Sequence, residues 1–214
     1  LGPTSTFVIG RDTRESGERI ERALVAGLVA AGASAVSMGV LPTPAVAWTC
    51  ARRGVPGAVI SASHNPWSDN GIKFFAAGGT KLSDAVEAQL EAEIDAVLAS
   101  SSSPSAPLHD VAVDELAVDR WIDAVVASCD ADVSSMRVVI DCANGASSTV
   151  APRVFAALGV DAIVLHASPD GRNINESCGS THPESLCRAV VDTGAALGLA
   201  FDGDADRLLA VDAT

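Results

Sequence analysis

Nowhere in this chain of 214 residues is there an apolar stretch long enough to cross a bilayer, because glycines and charges interrupt every one. No basic segment followed by an apolar run opens the sequence, so no secretory leader is expected. Basic residues are scarce: 14 Lys and Arg stand against 27 Asp and Glu, a formal net charge of -13. That balance disfavours nucleic acid and anionic membranes as partners, and neither is expected. It also means that an anionic ligand requires a local basic site. The five cysteines, Cys50, Cys129, Cys142, Cys178 and Cys187, show no metal-ligand spacing. An odd, dispersed set reads as reduced thiols and a cytoplasmic location.

What is present is apolar content, 48% of residues, enough for a well-filled core. The length allows one or two domains. Apolar runs at 7–10, 35–38 and 58–60 alternate with helical patterns. One helix is expected over 18–31, with Ile20, Leu24, Leu28 and Ala31 on one face and Gly32 after it. Another opens at Thr43-Pro44, with Thr43 as its cap. Ser83 caps a helix whose inward face is Val86, Leu90, Ile94 and Val97. Residues 100–106 read as a Ser/Pro-rich loop. A helix over 114–128 turns Val118, Trp121, Ile122 and Val125 inward. The polar stretch 130–135 is the expected boundary, giving units 1–130 and 131–214.

The second unit repeats the alternation, with strands at 137–140, 162–165 and 197–201. Thr181-His182-Pro183-Glu184 has the form of a capping box, and 208–211 is the hairpin partner of 197–201. The fold expected is α/β: two consecutive three-layer α/β/α domains with mostly parallel, mixed sheets.

Two stretches carry chemistry. Ala58-Val59-Ile60 stops at the polar loop Ser61-Ala62-Ser63-His64-Asn65-Pro66. Pro66 cannot extend a ladder and biases Asn65 away from helix. In open α/β sheets, ligands bind beyond the carboxyl ends of strands, and a hydroxyl beside an imidazole there is a plausible nucleophile. Further on, Phe201-Asp202-Gly203-Asp204-Ala205-Asp206-Arg207 again follows an apolar run. Three carboxylates so close repel one another unless a cation or an arginine neutralises them, and hard oxygen ligands suit Mg²⁺ or Ca²⁺. An EF-hand fails here, since its Gly and Glu positions hold Arg207 and Ala213. A phosphatase of the haloacid-dehalogenase type stays open on this loop alone but leaves the Ser63 loop without a role. Arg11 and Arg14, beside the end of the first strand, suit phosphate oxygens.

The joint occurrence of Ser61-Ala62-Ser63-His64-Asn65-Pro66 and Asp202-Gly203-Asp204-Ala205-Asp206-Arg207 resembles the α-D-phosphohexomutases. Asn70-Gly71-Ile72-Lys73-Phe74-Phe75, Asn173-Ile174-Asn175-Glu176 and Cys178-Gly179-Ser180-Thr181-His182-Pro183-Glu184 resemble its bacterial glucosamine-phosphate branch. The resemblance implies that Ser63 carries a phosphate. It implies one Mg²⁺ held by Asp202, Asp204, Asp206 and a phosphoserine oxygen of Ser63. His64, Lys73 and Arg11 are the candidates for proton handling and transition-state charge, and Arg11, Arg14 and Arg207 for phosphate binding. The implied partner is a small sugar phosphate, with a glucosamine or hexose 1,6-bisphosphate as primer and intermediate. The implied reaction converts glucosamine 6-phosphate to glucosamine 1-phosphate. Phosphomannomutase/phosphoglucomutase activity is the alternative within the class, and a metal-binding fragment without turnover is the alternative outside it. Family members are longer. By this resemblance the chain covers the phosphoryl-carrying and metal-binding half, incomplete at both ends and without the sugar-selecting loop.

Overall fold

A computed structural model describes residues 6–99 and 111–214. The expected loop at 100–106 and His109 lie outside the described residues.

The first half builds one five-stranded sheet in the order β4-β3-β1-β2-β5. Its strands are β1 (Thr6–Arg11), β2 (Ser34–Val40), β3 (Gly57–Ile60), β4 (Ile72–Phe75) and the two-residue β5 (Ala112–Val113), which sequence patterning missed. β4 alone runs antiparallel. Alternation along β1 explains the layering. Phe7 and Ile9 join Val25 of α1 (Gly17–Ala30) on one face. Val8 points to the other, against Val46 of α2 (Thr43–Arg53) and Ile122 of α4 (Ala117–Ala127). A central strand covered on both faces reads as a continuous apolar run, which is why 7–10 and 58–60 are legible. α2 ends at Gly54, whose φ of 64° is the left-handed cap that glycine takes without a Cβ penalty.

The second half repeats the plan with four strands in the order β7-β6-β8-β9. They are β6 (Arg137–Asp141), β7 (Asp161–Leu165), β8 (Leu197–Phe201) and the antiparallel β9 (Leu208–Val211). Val138 and Ile140 face α5 (Ser147–Ala157), and Val139 faces Leu186 and Val190 of α6 (Glu184–Thr193). The core cluster around Val8 and Val46 also contains Val150 and Val154 of α5, so apolar packing is continuous between the halves.

Three local expectations change. Helix α3 (Asp84–Ala99) forms, but none of its residues is buried: Val86 and Leu90 are nearly 40% exposed and Ile94 56%. Periodicity shows that a stripe exists, not that something covers it. Thr43 is the first helical residue and makes no cap bond, its hydroxyl being used elsewhere. The capping box at Thr181 is not formed either. Residues Gly179–Thr181 make a single 3₁₀ turn, and α6 starts at Glu184 behind Pro183. Among the described residues no helix is long and apolar enough to cross a membrane.

The topology fixes where a site falls. In each sheet the chain leaves its central strand for one side and returns on the other: β1 to β2 and then β3, β6 to β7 and then β8. Such a switch opens a crevice at the strands' carboxyl ends. The serine loop leaves β3 there and the carboxylate loop leaves β8, so the two crevices face each other.

Candidate functional site

Ser63 is 6% exposed, held between the two halves. Its hydroxyl donates to Asp202 Oδ2 at 2.6 Å. Arg207 Nη2 donates to the same Ser63 oxygen at 3.1 Å. Its Nε lies 3.6 Å from Asp202 and 3.7 Å from Asp206. The carboxylates of Asp202, Asp204 and Asp206 all have oxygens within 4.8 Å of one another. Lys73 reaches in from β4, its Nζ donating to Asp204 Oδ2 at 2.6 Å and to Asp206 Oδ2 at 2.9 Å. Thr43 Oγ1 also donates to Asp204 Oδ2, at 2.6 Å. Ser63, Lys73, Asp202, Asp204, Asp206 and Arg207 are thus brought together from parts of the chain more than 120 residues apart.

Electrostatics follow from this crowding. Burial, then the charges of Asp204 and Asp206, push the Asp202 carboxyl above its ordinary pKa, against the Ser63 hydrogen bond. Burial would raise Asp204 as well, but the Lys73 and Thr43 hydrogen bonds and the Lys73 charge outweigh it and hold its pKa below the usual value. Burial alone would lower Lys73, yet its bonds to Asp204 and Asp206 raise it. Lys73 is therefore held as an ammonium, the opposite of what a base at this position requires.

A cation fits the carboxylates on one specific observation. Asp204 is fully buried, its Oδ2 takes two donors, and its Oδ1 has no partner at all. A buried carboxylate oxygen left bare costs free energy, and the site's other ligand atoms are carboxylate oxygens. Such a set suits a hard divalent ion.

The serine's backbone is held as firmly as its hydroxyl. Ser63 sits at φ 52°, a left-handed conformation uncommon for a residue with a side chain. Its carbonyl accepts from Arg14 Nη2 and from Asn175 Nδ2, both at 2.9 Å. The Asn65 carbonyl accepts from the same two groups, at 3.0 and 3.1 Å. The Ser63 amide donates to Ser61 Oγ, which donates in turn to the buried Asp12 at 2.6 Å. Gly203 closes the junction: a Cβ there would lie 2.5 Å from the Ser63 carbonyl oxygen.

This corrects the reading of two arginines. Arg14 is 1% exposed, and its guanidinium is fully engaged by the carbonyls of Ser63, Asn65, Pro66 and Asp69 and by Asp12. No N–H of its five remains for a phosphate, so it is the clamp of the serine loop. Arg11 lies against α1 with its Nε on Glu21 at 3.1 Å and joins none of these groups. His64 is exposed and lines an open cleft of about 500 Å³ with Trp67, Glu176 and His182, so it is beside the site without touching Asp202 or Asp204. Thr43, Asn175, Asp12 and His182 were missed as site neighbours. Thr43, Asn175 and Asp12 reach the serine loop or Asp204 over separations of 161, 112 and 49 residues, which leave no local pattern.

Arg14→Ala should cost about 3 to 5 kcal/mol, because it strips a buried pair and leaves Asp12 unpaired. For a chain of this size that is a Tm lower by roughly 6 to 20 °C. A thermal melt within a degree of the parent would contradict the clamp.

Two α/β/α units place a buried serine against a triad of carboxylates at the carboxyl ends of their strands. Residues 2–100 match the family model for phosphoglucomutase/phosphomannomutase α/β/α domain I, and residues 119–214 match domain II. The chain belongs to the phosphoglucomutase/phosphomannomutase family. It is 50% identical over 213 residues to a phosphoglucosamine mutase from Pelotomaculum thermopropionicum, covering 99% of this chain and 48% of that protein. It is 51% identical over 216 residues to one from Moorella thermoacetica, again covering 99% and 48%. A solved structure of a phosphoglucomutase/phosphomannomutase family protein from Burkholderia thailandensis superposes with a TM-score of 0.77 at 28% identity, covering 97% of this chain and 46% of that one. The chain thus spans about half the length of the relatives it matches.

Proposed function

We propose that these residues are the phosphoryl-carrying half of a phosphohexomutase acting on glucosamine phosphates, with 1–130 and 131–214 as its two units. The observation that carries this is Ser63 Oγ, shared between Asp202 at 2.6 Å and Arg207 at 3.1 Å. The names of the relatives at about 50% identity favour glucosamine 6-phosphate and glucosamine 1-phosphate as the substrate pair.

Each residue then has a role. Ser63 carries the phosphate, and its left-handed backbone, clamped by Arg14 and Asn175, aims Oγ at the carboxylates. Transfer breaks the Oγ–P bond and forms one to a sugar hydroxyl, whose proton ends on the freed Ser63 oxygen and restores the serine hydroxyl. Arg207 stabilises the oxygen that Ser63 recovers. Asp202, Asp204, Asp206 and a phosphoserine oxygen would hold Mg²⁺, which when bound neutralises charge on the phosphoryl group. Lys73 bridges Asp204 and Asp206 as a cation. His64 faces the cleft in which a sugar could lie. The returning phosphate of the bisphosphate intermediate resets Ser63.

A chimera joining residues 1–214 to the remaining half of the Moorella thermoacetica relative tests the reading. It should form glucosamine 1-phosphate with Mg²⁺ and a bisphosphate primer. Ser63→Ala should lower the rate by several orders of magnitude, as expected on losing a covalent nucleophile. Faster turnover of mannose 6-phosphate than of glucosamine 6-phosphate would favour the phosphomannomutase alternative.

A further inference from the structure

Away from the serine, a second group of metal-ligating side chains stands together: Asp141, His166 and Cys178, with ligand atoms all within 4.8 Å of one another. Topology explains the meeting. Asp141 ends β6, His166 follows the adjacent strand β7, and Cys178 closes the loop that begins there. Asp141 and Cys178 are fully buried, whereas the His166 side chain is 31% exposed. The Asp141 oxygens accept from the backbone N–H groups of Ala143 and Gly179, at 2.9 and 3.0 Å. Among the described residues no Lys or Arg pairs with this carboxylate. His166 Nδ1 lies 3.0 Å from Asp141 Oδ2, yet the contact lacks hydrogen-bond geometry and this buried nitrogen has no partner. A buried carboxylate without a fixed cation and an orphaned imidazole nitrogen aimed at it leave room for one missing component.

We propose that Asp141, His166 and Cys178 form a second cation site, for a borderline divalent ion of the Zn²⁺ kind. Carboxylate oxygen, imidazole nitrogen and thiolate sulfur are the three ligand types that zinc takes, and the last two disfavour Mg²⁺ and Ca²⁺. The site is separate in chemistry from residues 202–206, which offer oxygen only. Tetrahedral zinc at its usual bond lengths sets ligand atoms about 3.3 to 3.8 Å apart; Asp141 Oδ2 and His166 Nδ1, at 3.0 Å, need to part slightly, and the remaining pairs, within 4.8 Å, to close by roughly an ångström. The ion enters past His166, the exposed member, and keeps solvent there as its fourth ligand. Cys178 releases its proton to solvent as the thiolate binds. Thiolate and Asp141 carboxylate then balance the charge of the ion. Occupancy staples the base of the 167–178 loop, the loop that carries Asn175 to the Ser63 carbonyl.

Titration of the reduced, metal-free chain with Co²⁺ tests this, because thiolate-to-cobalt charge transfer reports sulfur ligation directly. The expected result is one such Co²⁺ per chain, displaced by Zn²⁺. Cys178→Ser should abolish the charge-transfer band. His166→Asn, chosen because asparagine tolerates the φ of 48° found there, should weaken binding at least tenfold. Asp204→Asn should leave the band intact. A folded chain with no charge-transfer band, or a band that survives Cys178→Ser, overturns the proposal. Circular dichroism checks each metal-free variant, and if Cys178→Ser does not fold, unchanged affinity in His166→Asn overturns it instead.

Discussion

Asp204→Asn should weaken Mg²⁺ binding by roughly tenfold or more, since affinity at such sites tracks the charge of the ligands. The substitution is unusually specific here. Asparagine keeps one oxygen, and that oxygen can stay where Thr43 and Lys73 now bond Asp204 Oδ2. Its amide nitrogen then replaces Oδ1, the buried oxygen with no partner. A donor stands where a cation needs an acceptor, while the link between the halves is kept. Calorimetry should therefore show the loss of affinity with a metal-free melt close to the parent's. Unchanged Mg²⁺ affinity would mean that the three carboxylates do not hold the ion.

The second large effect concerns residues 1–214 assayed alone. They should not interconvert glucosamine 6-phosphate and glucosamine 1-phosphate at a useful rate. The proposed intermediate carries two phosphates, so while one reacts the other must be held. The cations that meet Ser63 and the carboxylates are Lys73 and Arg207, both at the reacting end. Arg14 is consumed by the serine loop, and Arg11 is turned away onto Glu21. Among the described residues, no Lys or Arg lines the cleft beside Ser63 to hold the distal phosphate. Binding energy from such remote groups is what positions a reacting centre, so its loss costs rate as well as affinity. The expected residual chemistry is slow loss of phosphate from Ser63 to water. A coupled assay with Mg²⁺ and a bisphosphate primer measures this. Robust glucosamine 1-phosphate formation by residues 1–214 would contradict it.

Much of the site was legible because its chemistry sits where strands stop. Ile60 to Ser61 and Phe201 to Asp202 are abrupt changes from apolar to polar, and in an α/β sheet that change marks the end where ligands bind. Lys73 was legible only through the resemblance of Asn70 to Phe75, a stretch in which it is the single charge. The arginines were not separable, because Arg11 and Arg14 look alike in sequence. What divides them is that Arg11 ends β1 whereas Arg14 lies past it, where residues 61–70, about 50 residues away, wrap around it. Thr43 read as a cap because Thr before Pro is a local signal, while its bond to Asp204 spans 161 residues and leaves none. The α3 stripe shows the same limit for packing: Leu90 and Ile94 have helical spacing, but spacing does not supply a neighbour.

The central claim is that Ser63, and no other serine, carries the transferable phosphate. Ser61 is the strict control. It lies two residues away, is also buried, and has its hydroxyl committed to Asp12 rather than to the carboxylate triad. Intact mass and phosphopeptide mapping of the protein purified from cells decide between them. The account predicts a single phosphate on Ser63, lost in Ser63→Ala. Phosphate on Ser61, or a phosphate that persists in Ser63→Ala, would contradict it.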